Sequence, residues 1–180
     1  GQSLFEAIAY VLYPELFSVT KNESEGNYFR MKLLKEKLGE FLMVQSPSVL
    51  TSLNIYLTKD IKEYIQMIKD DVTWGGEIAL RLFAKYYDVQ FCILKDIGAG
   101  MMTEFIPNTI KYPIKRIYLL LNMKRNHYDV LVGKREKVDP EGSEEEICFF
   151  NAFDDHVYEK ILESILKKDQ STESNFQNQS

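Results

Sequence analysis

Three short segments carry residue types whose spacing could do chemistry. In Gly1-Gln2-Ser3-Leu4-Phe5, a small hydroxyl side chain stands where a glycine-containing stretch becomes the start of an apolar helix. Unpaired amides at such a helix start can hold an oxyanion, and the helix dipole favours an anionic nucleophile. The same serine, three residues ahead of Glu6, also spells a capping box, in which its hydroxyl serves only its own helix. In Asn126-His127-Tyr128-Asp129-Val130-Leu131-Val132, a strand would project His127 and Asp129 to one side and Tyr128, Val130 and Val132 to the other. A carboxylate so placed can fix the tautomer and orientation of an imidazole base. The plainer reading is a half-exposed strand with a histidine near its start. In Trp74-Gly75-Gly76-Glu77, the single tryptophan adjoins two glycines that permit close backbone approach. Trp74 reads first as an anchor for this turn and second as the wall of a groove.

Other chemistries find no support in the residues. Neither His127 nor His156 has a cysteine, histidine or acid at zinc-ligand spacing, so neither a metal site nor any other cofactor is expected. Gly98-Ala99-Gly100 lacks the third glycine and the following helix of a dinucleotide fingerprint and reads as a flexible loop. The sequon Asn22-Glu23-Ser24 carries no meaning in a cytosolic chain.

The elements that must position these residues follow from apolar spacing. Phe5, Ile8, Ala9 and Leu12 mark a helix over 4–12, which Pro14 terminates. A polar loop over 21–27 leads to a second helix from Tyr28, with Met31, Leu34, Leu38, Phe41 and Leu42 on one face. Ile61, Tyr64, Ile65 and Ile68 mark a third helix, a turn follows over 70–76, and 77–87 forms a fourth with its acid in the first turn. Strands are expected at 89–94, 116–121 and 127–132, the last two joined as a hairpin through 122–126. A charged loop over 134–146 precedes an amphipathic helix at 156–167, and the tail 169–180 is too polar to fold. This order suggests an α/β sandwich with a small, mostly antiparallel sheet, formed by one domain over 1–168.

With 180 residues, 45% of them apolar, the chain can bury roughly 70% of its extended surface without disulfide or metal support. Cys92 and Cys148 lie in apolar runs and read as buried thiols of a reducing compartment. A net charge of −5 speaks against sequence-independent nucleic-acid binding and for a basic partner. No apolar stretch approaches the ~20 residues that span a bilayer, and no basic segment marks a signal peptide, so a cytoplasmic protein without membrane attachment is expected. Opening at Gly1 on residues that already look structured, the chain is expected to be a fragment.

Taken together and in order, 1–9, then Trp74-Gly75-Gly76-Glu77-Ile78-Ala79-Leu80 with Tyr86 and the strand at 89–94, then His127-Tyr128-Asp129-Val130, resemble the ovarian-tumour (OTU) family of cysteine deubiquitinases over residues 1–133. The resemblance implies a papain-like α/β/α sandwich and hydrolysis of the isopeptide bond after the C-terminal Gly-Gly of ubiquitin. By position it puts Ser3 where the family has its nucleophilic cysteine, His127 at the general base and Asp129 at an orienting acid. The amides of Gln2 and Ser3 would form the oxyanion hole, with Gly1, Trp74, Gly75 and Gly76 as scaffold. The implied partners are ubiquitin or a ubiquitin-like modifier and the proteins that carry it, met by a monomer. An acid that some members carry before the first glycine would fall ahead of Gly1, leaving Asp129 to act alone.

Ser3 is the main departure. A helix start and a paired imidazole lower a cysteine pKa from about 8.5 to roughly 4–6, which for a hydroxyl yields almost no alkoxide. The site is therefore of thiol-hydrolase design and inactive as written. Either Ser3 replaces a cysteine by design, which the retained His127 and Asp129 favour, or it is natural and the domain is a catalytically dead OTU-fold binding module. A true serine hydrolase is the third reading.

Overall fold

A computed structural model describes residues 2–19, 23–57, 60–70, 76–109 and 115–178. Gly1, Trp74, Gly75 and the sequon asparagine Asn22 lie outside them, and with them the expected anchoring role of Trp74.

Helix α1 (Gln2–Leu12) follows the expected stripe: Leu4, Phe5, Ile8, Ala9 and Val11 are buried, and Pro14 follows its end. A short α2 (Glu15–Val19) comes next, then α3 (Glu23–Met43), whose Leu34, Leu38 and Leu42 are fully buried at four-residue intervals. Helix α3 starts before Tyr28 and takes in residues 23–27, expected as loop. One turn apart on that early stretch, Asn27 Oδ1 accepts a 2.6 Å bond from Arg30 Nη2, while Arg30 also grips Glu6 of α1. These contacts offset the poor helical propensity of Gly26. The short α4 (Pro47–Ser52) was not expected, although Ser46, whose hydroxyl accepts from the Val49 amide at 3.3 Å, and Pro47 spell a helix start. Helices α5 (Ile61–Lys69) and α6 (Gly76–Tyr87) match the spacing that marks them.

Strands β1 (Val89–Asp96), β2 (Met101–Ile106), β3 (Lys115–Asn122) and β4 (His127–Leu131) form a sheet in the order β2-β1-β3-β4, with the short β7 (Phe150–Asn151) also pairing β3. The β1–β3 pair is parallel; the other pairs are antiparallel. Strand β2 goes beyond the strands expected, and the loop expected at 98–100 joins it to β1: Gly98, at φ +84°, and Gly100 close a hairpin through a 3.1 Å bond from the Ile97 amide to the Gly100 carbonyl. The glycines of 98–100 thus serve a turn.

The charged stretch 134–146 is likewise not a plain loop. It holds β5 (Gly133–Glu136) and β6 (Glu144–Ile147), paired antiparallel. Opposite charges face each other across the pair, Arg135 on Glu145 at 2.9 Å and Lys134 on Glu144 at 3.7 Å, so charge here supports strand pairing in place of apolar alternation.

Side chains alternate between two cores. Phe91, Ile93, Ile117 and Leu119 face the helices α1, α3, α5 and α6, whereas Cys92, Leu94 and Tyr118 face the last helix, α7 (Asp155–Asn178), through Val157, Tyr158, Ile161 and Leu162. With both faces covered, β1 and β3 are continuous apolar runs rather than alternating ones. The result is an α/β/α sandwich with a mostly antiparallel sheet, as expected. Helix α7 is longer than the apolar spacing over 156–167 indicates, its backbone staying helical to Asn178. Cys92 is buried; Cys148 is only half-buried, against expectation, because it follows the exposed β5–β6 pair.

Candidate active site

The first turn of α1 and the front of β4 meet. Strand β4 ends the sheet, and α1 lies along it, with Tyr128 and Val130 packed against the same core as the buried face of α1. Across this contact the Tyr128 amide donates a 3.0 Å hydrogen bond to Ser3 Oγ, joining residues 125 positions apart. Ser3 is therefore not the cap of a capping box. Helix α1 begins one residue before it, its hydroxyl turns out to β4, and Glu6 turns to Arg30, whose Nε lies 3.2 and 3.0 Å from the two carboxylate oxygens.

His127 and Asp129 project to one side of β4, as strand geometry requires, and Nε2–H donates to Asp129 Oδ1 at 3.1 Å. With Nε2 so engaged, Nδ1 is the ring atom left to act as an acceptor. Both side chains are well exposed, 45% and 63%, so the pair orients the ring without a desolvated charge pair to reinforce it.

Ser3, His127 and Asp129 line one cleft of about 670 Å³. Its helical wall is the stripe Ser3, Glu6, Ala7 and Tyr10, at helical spacing i, i+3, i+4 and i+7, and its strand wall runs from His127 to Val132. Phe17 and Met31 supply apolar floor, and Glu146 of β6 stands at the far end. There the Tyr10 hydroxyl donates to Glu146, a bond that together with burial pushes the Tyr10 phenol up to about 12.

Gln2 and Ser3 both lie in the first turn of α1, where helix geometry leaves backbone N–H groups without partners inside the helix. Gly76 opens α6 directly behind this turn: a Cβ there would stand 3.2 Å from Leu4 Cδ2, next to Ser3. Gly76→Val should overpack this contact and cost about 1–3 kcal/mol, read as a lowered urea midpoint. An unchanged midpoint would show that α1 does not need the close approach.

Two parts of the site lie outside the three chemistry-bearing segments. Arg30 fixes α1 by gripping Glu6, and its guanidinium lies 3.9 Å over the Phe17 ring. Tyr10 and Glu146 close the cleft's far end. Extending the helical stripe from Ser3 by i+3 and i+7 would have found Glu6 and Tyr10; nothing local marks their partners.

Neither thiol belongs to the cleft. Burial pushes Cys92 up to about 12, partly offset by the charge of Arg116, and raises Cys148 as well. The folded chain therefore holds the Cys92 proton more tightly than the unfolded chain, whose thiol ionises near its ordinary 9.0. That contribution to stability is complete below about pH 9 and is lost as pH rises towards 12. The urea midpoint should accordingly fall across this window, and at about pH 8 Cys92 should react with a disulfide reagent only on unfolding. Rapid reaction of Cys92 in the folded chain would contradict its burial.

Among the described residues, no group of three or more His, Cys, Asp or Glu side chains could hold a metal ion, and no helix is long and apolar enough to cross a membrane.

No protein-family model matches this chain, and no curated protein matches it. Among solved structures, the OTU domain of OTUD1 is similar, with a TM-score of 0.52 over 72% of this chain and 77% of that one, at 15% sequence identity. The likeness is one of fold: this chain has an α/β sandwich of the papain-like kind seen in that OTU domain.

Proposed function

We propose that this domain is a deubiquitinase of thiol-hydrolase design, acting on the isopeptide bond after the C-terminal Gly-Gly of ubiquitin or a ubiquitin-like modifier, and held inactive by Ser3. The observation that carries the reading is the bond from the Tyr128 amide to Ser3 Oγ, which sets position 3 beside the His127–Asp129 pair in one cleft. In the mechanism, a thiolate at position 3 attacks the scissile carbonyl, the first-turn amides of Gln2 and Ser3 receive the oxyanion, and imidazolium at His127 protonates the leaving amine. Asp129, holding Nε2–H, leaves Nδ1 as the acceptor of the ring. The fold likeness to an OTU domain supports the same assignment.

Oxygen at position 3 fails for a stated reason. The Tyr128 amide and the helix start stabilise an anion there, which helps a thiol ionise at neutral pH but leaves a hydroxyl almost wholly protonated. Ser3→Cys should convert the chain from inert to labelled by a ubiquitin probe bearing a thiol-reactive C-terminus, by at least about a hundredfold over the unchanged chain. Absence of labelling would instead favour a non-enzymatic interaction module on this fold, and turnover by the chain with Ser3 intact would favour a serine hydrolase.

A further inference from the structure

Strand β2 ends the sheet on the side away from β4, and its register with β1 runs unbroken from Phe91↔Ile106 to Asp96↔Met101. At the hairpin the Ile97 amide donates to the Gly100 carbonyl, so residues 97 and 100 form a hydrogen-bonded pair. Along an antiparallel ladder such pairs alternate with pairs that share no bond. Lys95↔Met102, Ile93↔Glu104 and Phe91↔Ile106 are therefore the bonded pairs, and Met101, Thr103 and Phe105 turn their N–H and C=O groups outward. Among the described residues, no strand meets that edge.

Folded proteins protect such an edge with proline, a bulge or a charge, and β2 uses none of them. Met101–Ile106 contains no proline and no bulge, and its single charge, on Glu104, is paired with Lys95. Met102 stands 57% exposed on the same strand. The edge is also complementary to itself. Facing side chains of an antiparallel pair share one side of the sheet, so a twofold axis relating two such edges passes through a residue and not between residues. Centred on Thr103, every outward residue finds an outward partner: Met101 faces Phe105 of the second copy and Thr103 faces its twin, each pair exchanging both its bonds. Centred on Glu104, two carboxylates would oppose each other, which destabilises a strand pair. Centred on Met102, the edge would leave Phe105 without a strand partner. About Thr103, Glu104 faces Met102 and no like charges stand opposite.

We propose that two copies of this chain pair through the outer edges of their β2 strands, antiparallel about Thr103, in place of the monomer that the family resemblance implies. The two sheets then join into one, running β4-β3-β1-β2 through one copy and back to β4 through the other. Met101 and Phe105 of both copies extend the apolar layer under α7, to which they already belong. The candidate cleft lies at the β4 ends and stays open in both copies. Such an isologous contact closes at two chains, because each edge is used once.

Sedimentation equilibrium of the full chain over about 5–300 µM should show the mass rising from that of one chain towards that of two. Thr103→Pro removes an outward amide, where an edge strand tolerates proline, and should weaken association by at least about tenfold with circular dichroism unchanged. Thr103→Val keeps that amide and drops only the hydroxyl that bonds the Tyr158 hydroxyl at 3.0 Å; it should associate within about threefold of the unchanged chain. Oxidation reads the register. Thr103→Cys, facing its twin at a Cα separation of about 5.5 Å, should cross-link at least about tenfold faster than Met102→Cys, although Met102 is the more exposed position. A single-chain mass at every concentration would overturn self-pairing and leave the edge to a strand from another protein. A Thr103→Pro chain that stays folded and still pairs, or faster cross-linking through Met102→Cys, would equally overturn it. If Thr103→Pro unfolds, the two cysteine variants decide.

Discussion

On a Ser3→Cys background, His127→Ala is expected to slow attack by the thiol on a ubiquitin probe by about 10²–10⁴-fold. His127 is the only imidazole lining the cleft, and Nδ1 is its remaining acceptor once Nε2–H is committed to Asp129. Without the ring, the thiol keeps the Tyr128 amide and the helix start but loses its proton acceptor. Raising pH should therefore restore part of the rate in His127→Ala, because hydroxide then supplies what the imidazole did. Asp129→Ala should be far milder. An ion pair this exposed contributes about 0–1 kcal/mol, so the expected loss is at most about fivefold. The rate of labelling across a pH series checks all three variants. If His127→Ala proved as mild as Asp129→Ala at neutral pH, the imidazole would not be the base.

Phe83→Ala should cost about 3–5 kcal/mol, the upper range for truncating a buried side chain. Phe83 is fully buried at the centre of the helical core. Its ring meets Tyr13 and Phe41 edge-on, at centroid separations of 6.4 and 5.4 Å, and lies nearly parallel to Tyr87 at 6.4 Å. Truncation would leave a cavity bordered by Tyr13, Phe41 of α3 and Tyr87 of α6, where stiff aromatic rings can collapse only partly. Denaturant unfolding followed by circular dichroism reads the change. A loss below about 1 kcal/mol would mean that the surrounding rings close the gap.

The elements built on long apolar stripes were legible in the sequence. Phe5, Ile8 and Ala9 identify α1, and the apolar runs of β1 and β3 identify strands buried on both faces, because burial alone selects those residues. What escaped has a common physical cause: stabilisation by groups distant in sequence. Helix α3 runs back through Gly26 because Arg30 reaches Glu6. The β5–β6 pair lacks an apolar face, and Arg135 and Lys134 meet carboxylates on the returning strand, contacts that apolar alternation cannot mark.

The site divides in the same way. His127 and Asp129, two apart on one strand, could be placed together from alternation alone, and they are 3.1 Å apart. The fate of Ser3 could not be read locally, since capping box and nucleophile share one sequence and only the position of β4 distinguishes them. The Tyr128 amide, 125 residues away, takes the hydroxyl that the local pattern assigns to a cap.

That hydrogen bond has an evolutionary corollary. Its donor belongs to the main chain, so nineteen of the twenty genetically encoded residues at position 128 would preserve it, and proline alone would abolish it. The ring of Tyr128, packed on the core that α1 shares, answers to a separate demand: replacing it acts through packing and not through loss of the donor that meets position 3.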